Sequence, residues 1–334
     1  MHGRISRAVS LIALASLSAI ATSCTSCTSG GNERSPAPRV AQFADSTAPR
    51  VAYTTLRDVD TIGAFTNRDV KESSAAVRSW RTAGVFWTLN DNGNDERVFA
   101  FDSTGQDLGS VIVPHARNRD WEALATGPCA AGRCLFIGDV GDNLARHDVV
   151  SIYRIPEPAP PGTGRLATGD SASALHFRYP DGPRDVEAMW VDADTAVFLV
   201  TKRPLRDAAG YTRPSQVYRL GPELWAANKV SVATLVDSLP NFASGDERTQ
   251  ITDASLSNPF GDPAQASRLA VRTYGMVYVF EVALTSGRPG RLVGHCALDA
   301  LDEKQGEGLT WMADGRLLFT SEKRNAPIMV ARCP

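Results

Sequence analysis

Asp185-Val186-Glu187-Ala188-Met189-Trp190-Val191 has a near copy 65 residues earlier, Asp120-Trp121-Glu122-Ala123-Leu124-Ala125. In both, an acid and then a small residue stand at the mouth of an apolar run, and a turn and a second apolar run follow. Short apolar runs bounded by turn formers outline a repeated β unit. Looser copies occur at Lys71-Glu72-Ser73-Ser74-Ala75-Ala76-Val77, Thr252-Asp253-Ala254-Ser255-Leu256 and Gly306-Glu307-Gly308-Leu309-Thr310-Trp311-Met312, which makes five units.

Each unit reads as four strands. Apolar or alternating runs fall at 73–77, 85–89, 97–101 and 110–113; at 121–126, 134–138, 150–155 and 174–177; at 186–191, 196–201, 216–220 and 233–237; and at 254–256, 268–272, 277–282 and 291–297. The last unit offers only 308–312, 316–320 and 328–333. A run at 61–65, before the first unit, has no other partner and supplies the missing strand. The expected fold is all-β: a β-propeller of five blades of four antiparallel strands, closed by an N-terminal strand so that no long edge stays open. A six-bladed ring is the alternative, and it needs strands that the sequence does not offer. The marker acids lie 50, 65, 66 and 54 residues apart, longer than the ~40–50 of compact blades. Insertions at 156–173, 204–214 and 241–249, rich in Gly, Pro or charge, account for the excess.

Over residues 60–333 the pattern, with its Asp-x-Glu-Ala and Gly-Glu-Gly-Leu markers, resembles the bacterial extracytoplasmic propellers grouped around phytase-like, quorum-regulator-regulated and other calcium-associated families. The resemblance implies innermost strands that open on an acid and an association with Ca²⁺. It carries no individual residue across.

In a propeller the innermost strands line a channel, so matching positions form a ring. Glu72, Glu122, Glu187, Asp253 and Glu307 are expected at one mouth, with Asn90-Asp91, Asp139, Lys202, Arg272 and Glu322-Lys323 from the ends of the second strands beside them. Oxygen-rich clusters of this kind suit a hard cation such as Ca²⁺, and Lys202, Arg272 and Lys323 suit an anionic ligand. Equally, each acid could cap backbone amides and only fix blade packing. Asp91 to Glu96 and Asp139 to Asn143 are acidic glycine loops in which Asp91, Asp139 and Asp142 are candidate metal ligands; neither is a complete twelve-residue calcium loop. The other reading of these loops is tight turns.

The first 23 residues read as an export signal, with Arg4 and Arg7 before an apolar core. Ala21-Thr22-Ser23-Cys24 resembles a lipobox, so Cys24 is the expected lipidation site, residues 24–50 a tether, and 51–334 a single propeller domain. Export to an oxidising compartment predicts disulfides: Cys129 with Cys134 across a hairpin, and Cys296 with Cys333. Removing Arg4 and Arg7 lowers the formal net charge of −2 by two, to −4, and no basic patch for nucleic acid or membrane is visible.

The 334 residues contain no Gly-x-Ser-x-Gly elbow, no His-Glu-x-x-His and no phosphate loop. Two classes of function fit. One is a membrane-anchored, extracytoplasmic lipoprotein whose acidic funnel binds a small anionic ligand or an envelope protein, with any Ca²⁺ structural. The other is a Ca²⁺-dependent hydrolase of phosphoesters or lactones that uses the funnel carboxylates.

Overall fold

The computed structural model describes residues 54–203, 205–206, 212–227, 229–239, 247–283, 286–301, 303 and 305–333. The expected signal segment, Cys24, Cys27 and the tether lie outside them, as do most of 204–211 and 240–246.

Five sheets stand in a ring. Blade one is Ser73–Arg78, Val85–Asn90, Arg97–Asp102 and Asp107–Ile112, from the channel outward. Blade two is Trp121–Cys129, Gly132–Asp139, Val150–Pro156 and Ser173–Arg178. Blade three is Val186–Val191, Val197–Thr201, Gln216–Leu220 and Thr234–Ser238. Blade four is Ile251–Leu256, Arg268–Thr273, Met276–Val282 and Pro289–Ala297. Blade five is Gly306–Trp311, Leu317–Ser321 and Pro327–Arg332, completed by Arg57–Ala64. Helix among the described residues is limited to two 3-10 turns, Pro222–Ala226 and Glu247–Thr249.

Neighbouring blades press face to face, so the inner two strands are buried on both sides and read as near-continuous apolar runs rather than alternating ones. The core is accordingly divided into five wedges, one at each blade junction. Trp87 and Trp121 fill the wedge between blades one and two. Between blades three and four, Trp190 stacks on Phe198 at 5.2 Å with an interplanar angle of 3°.

Arg57–Ala64 pairs antiparallel with Pro327–Arg332, which joins the start of the chain to its end and closes the ring. Phe65 then packs edge-on against Phe101 of blade one, with centroids 5.0 Å apart. Three blades gain a short fifth strand in parallel: Leu166–Thr168 on blade one, Ser231–Val232 on blade two and Thr54–Thr55 on blade four. Part of the 156–173 insertion is therefore strand, because the edge of the preceding blade offers it a ladder of unpaired amides.

Both expected disulfides form. Cys129–Cys134 staples the first hairpin of blade two, whose inner strand runs three residues past the expected end at 126. Cys296–Cys333 ties the outer strand of blade four to the last residues of blade five, next to Thr54.

Each inner strand opens with the same irregularity. The ladder skips one residue after Ser73, Trp121, Val186 and Ile251, and two after Gly306. These are β-bulges, which re-aim the extra side chain out of the ladder.

A chain beginning at Asp69 lacks the closing strand and exposes the edge of Pro327–Arg332. Its thermal midpoint should fall by roughly 10 °C or more and it should associate, since loss of a few kcal/mol moves a domain of this size by that amount. A midpoint equal to that of a chain beginning at Ala48 would rule out closure by this strand. For the disulfides, the chain-entropy model gives ~4 kcal/mol for the 37-residue separation of Cys296–Cys333 and ~2 kcal/mol for the five-residue separation of Cys129–Cys134. The Cys296→Ser/Cys333→Ser variant should thus melt well below Cys129→Ser/Cys134→Ser, as read by calorimetry.

Candidate functional site at the channel mouth

The bulges fix which residues share a level. The first residue skipped by each ladder, Ser74, Glu122, Glu187, Thr252 and Glu307, belongs to the ring at the mouth. One step before the strand stand Glu72, Asp120, Asp185, Gln250 and Gln305, and just past the second strands stand Asp91, Val140, Lys202, Tyr274 and Glu322.

Two members of the expected ring are therefore displaced. Glu72 lies two residues before its bulge and is half-buried, with Oε2 accepting from Asn94 Nδ2 at 2.9 Å. Asp253 lies one residue past its bulge, at the level of Ala75, Ala123, Ala188 and Gly308, fully buried. Its Oδ2 accepts from Leu309 N at 2.7 Å and Ala76 N at 3.3 Å, and its Oδ1 from Ala254 N at 2.8 Å. Asp253 is thus a bolt between blades four, five and one. Burial raises its pKa against the pull of those amides.

Arg272 and Asp139, on second strands, also lie below the mouth. Arg272 pairs in the ladder with Asp253, is 1% exposed, donates to Gly308 O at 2.8 Å and Thr320 O at 3.3 Å, and is ion-paired with Glu303. Asp139 Oδ1 accepts the amides of Arg119 and Asp120 at 3.0 and 2.8 Å, as Asn90 Oδ1 does for Lys71 and Glu72 at 2.9 and 3.2 Å. Asp142 is held by the His147 amide at 2.7 Å, with His147 Nδ1 at 3.3 Å. The carboxylates close enough to share a cation among the described residues are Asp91, Asp120 and Glu122, a group that takes in Asp91 but neither Asp139 nor Asp142. Lys323 is exposed, whereas Lys202 and Arg272 are buried.

The mouth itself holds Glu122, Glu187 and Glu307 from three blades. Glu187 is ion-paired with Lys202, both side chains less than a tenth exposed, and Glu187 Oε2 has no partner. Glu307 Oε1 accepts from Tyr274 OH at 2.6 Å. Glu122 receives no hydrogen bond among the described residues. Beside it, Asp91, Asp120 and Glu122 each present an oxygen within 4.8 Å of the others, and buried Asp120 Oδ1 has no partner. Gly141 lets the backbone come this close: a Cβ there would lie 2.6 Å from the Asp120 carboxylate and 2.6 Å from Glu122 Cγ.

These carboxyls resist ionisation. Burial, then the neighbouring charge of Asp91, pushes Asp120 up to about 6. Burial together with Glu307, Asp91 and Glu72 takes Glu322 up to about 7. Glu122 and Glu187 rise well above the ordinary glutamate value, Glu122 first by burial and then by the charge of Glu187, Glu187 first by burial and then by the charge of Glu307. Lys202, despite burial, stays protonated because of Glu187. Crowded acids of this kind are relieved by protons or by a cation.

The opposite mouth has a different character. Arg78 stacks on Trp80 at 4.0 Å, and Trp80 meets Phe260 of blade four at 5.1 Å. The cavity behind them, about 20 Å³, has room for a single water.

No family model matches the chain. No curated protein matches it either. Among solved structures, a glucose dehydrogenase is matched over 83% of this chain and 99% of its own, at 8% identity and TM-score 0.48. A gluconolactonase from Xanthomonas campestris is matched over 83% of this chain and 89% of its own, at 14% identity and TM-score 0.41. The apo-form soluble aldose sugar dehydrogenase of Escherichia coli is matched over 83% of this chain and 99% of its own, at 10% identity and TM-score 0.41. These proteins are β-propellers, and likeness at this level carries no residue or activity to the present chain.

Proposed function

We propose that the protein is an extracytoplasmic binding propeller whose acidic mouth takes up a divalent cation, Ca²⁺ by donor type, and through it an oxygen-bearing ligand. The observation that carries this reading is the convergence of Asp91, Asp120 and Glu122 within 4.8 Å, with Asp120 Oδ1 unpartnered. All-carboxylate donors favour a hard cation. Lys202 and Arg272 are already neutralised by Glu187 and Glu303, so a small anionic ligand would be attracted by the cation rather than by these two side chains. The two disulfides support an oxidising compartment, and lipidation of Cys24 would hold the propeller at the membrane. Mass spectrometry of the mature N-terminus tests that address; a start elsewhere with Cys24 removed would sink it.

A second reading, a Ca²⁺-dependent hydrolase of phosphoesters or lactones, is favoured by one observation. Asp120 and Glu322, at about 6 and about 7, lie where a carboxylate can accept a proton near neutrality. The cation would supply Lewis acidity. Turnover of phosphoester and lactone probes, absent in Glu322→Gln, would favour this reading over pure binding.

The electrostatics give a signed prediction. Asp120 and Glu322 have raised folded pKa values, so the folded protein holds protons that the unfolded chain releases, and their contribution to stability is lost as pH rises from about 4 to about 7. In chelator the thermal midpoint should therefore decline across that range, and saturating Ca²⁺ should offset the decline at its upper end. Calorimetric titration should give a Ca²⁺ affinity at least tenfold weaker in Glu122→Gln, about 1.4 kcal/mol. Wild-type protein that neither binds nor is stabilised by Ca²⁺ would overturn the cation reading.

A further inference from the structure

A chamber of about 640 Å³ opens beside Lys202 and Tyr274 and runs outward over blade four. Its size is that of a small-molecule site. Its chemistry differs from that of the mouth in three respects. The level occupied by Glu72, Asp120 and Asp185 in blades one to three is occupied by Gln250 and Gln305 on the chamber side, so the ring changes there from acid to amide. The basic groups of the wall are already engaged: Lys202 with Glu187, Arg203 with Asp185 and Arg248 with Asp299. Finally, Glu303, 5% exposed along its side chain, spends Oε2 on Arg272 and leaves Oε1 without a partner, while Leu298 and Leu301 add an apolar surface.

We propose that this lateral chamber holds the body of the ligand, and that it selects a neutral, polyhydroxylated molecule of monosaccharide to disaccharide size. A free anion meets cations that are already neutralised, and an ammonium meets a wall carrying three basic side chains. Hydroxyls suit this wall, since they donate to the amide oxygens of Gln250 and Gln305 and accept from their amide nitrogens. The leucines offer a surface for the C–H face of a sugar ring. The chamber ends at Lys202 and Tyr274, the partners of Glu187 and Glu307, so one end of such a ligand lies against the acidic mouth. This inference rests on the cation reading for what happens at that end, and on the chamber alone for the ligand class.

The experiment uses the full chain, with saturation-transfer NMR and calorimetry in Ca²⁺ and again in chelator. The probes are glucose, xylose and cellobiose, with glucose 6-phosphate and glucosamine as charge controls. Gln305→Trp fills the chamber without touching the three carboxylates; Gln250→Trp is the second variant, and each is checked by its thermal midpoint. The expected result is saturable binding of a neutral sugar, weakened at least tenfold by either substitution while the Ca²⁺ isotherm is kept. Calcium binding with no neutral sugar bound overturns the chamber proposal and leaves the cation reading standing. Neutral-sugar binding sensitive to Gln305→Trp without calcium binding upholds the chamber and rejects the cation. Binding of only the phosphorylated or amino sugar, or sugar binding that both variants leave intact, overturns the proposal.

Discussion

Five inner strands share one axis, and the space along that axis decides what can stand there. At the level just inside the mouth, four blades present Ala75, Ala123, Ala188 and Gly308, and a Cβ on Gly308 would already lie 2.2 Å from Thr320 Oγ1. Blade four alone presents an acid, Asp253, whose carboxylate takes the room left by those small side chains and bonds to amides of blades five and one. A buried carboxylate is costly unless its lone pairs are filled, and here backbone donors fill them and Arg272 lies alongside. The polar centre of the ring is thereby a fastening, and the small residues around it are its necessary complement.

That packing sets the level above. Because the axis is full at Asp253, the bulged residues Glu122, Glu187 and Glu307 turn toward the mouth, where they crowd one another and Asp120 and Asp91. The protein stabilises two of them internally, Glu187 through Lys202 and Glu307 through Tyr274. One oxygen of Asp120 is left without such help, and Glu122 receives no hydrogen bond among the described residues. An arrangement that bears uncompensated buried carboxylates is typical of binding and catalytic sites, where local stability is given up for affinity.

Closure keeps these groups together. The sheet edges of blades four and five are sealed by the same N-terminal stretch, Thr54–Thr55 on one and Arg57–Ala64 on the other, and the Cys296–Cys333 bond crosses the same junction. Blades five and one are joined again near the axis by Ser73 Oγ and Thr320 Oγ1 at 2.9 Å. The first and last repeats are thus tied at both the rim and the hub, which holds Glu307 and Asp91 at one mouth although they come from opposite ends of the chain.

The sequence by itself determined the five repeats, their four strands, the closing strand and the two cysteine pairs, because apolar runs, turn residues and cysteine spacing are local signals. It also brought forward Glu122, Glu187, Glu307, Asp91 and Lys202. It set Glu72 and Asp253 in one ring, since a one-residue bulge changes which side chain faces the axis without leaving any mark on hydrophobic periodicity. It set Arg272 at the mouth, where the ladder instead pairs it with Asp253, and it did not show that Asp139 and Asp142 accept backbone amides. Asp120 stood in the quoted repeat but gained its meaning only when the fold brought Asp91 from the preceding blade to it. Tyr274, Gln250, Gln305 and Glu303 carried no signal in the chain. Their role follows from a lateral chamber between blade tops, a space that exists only once blades three, four and five are packed together.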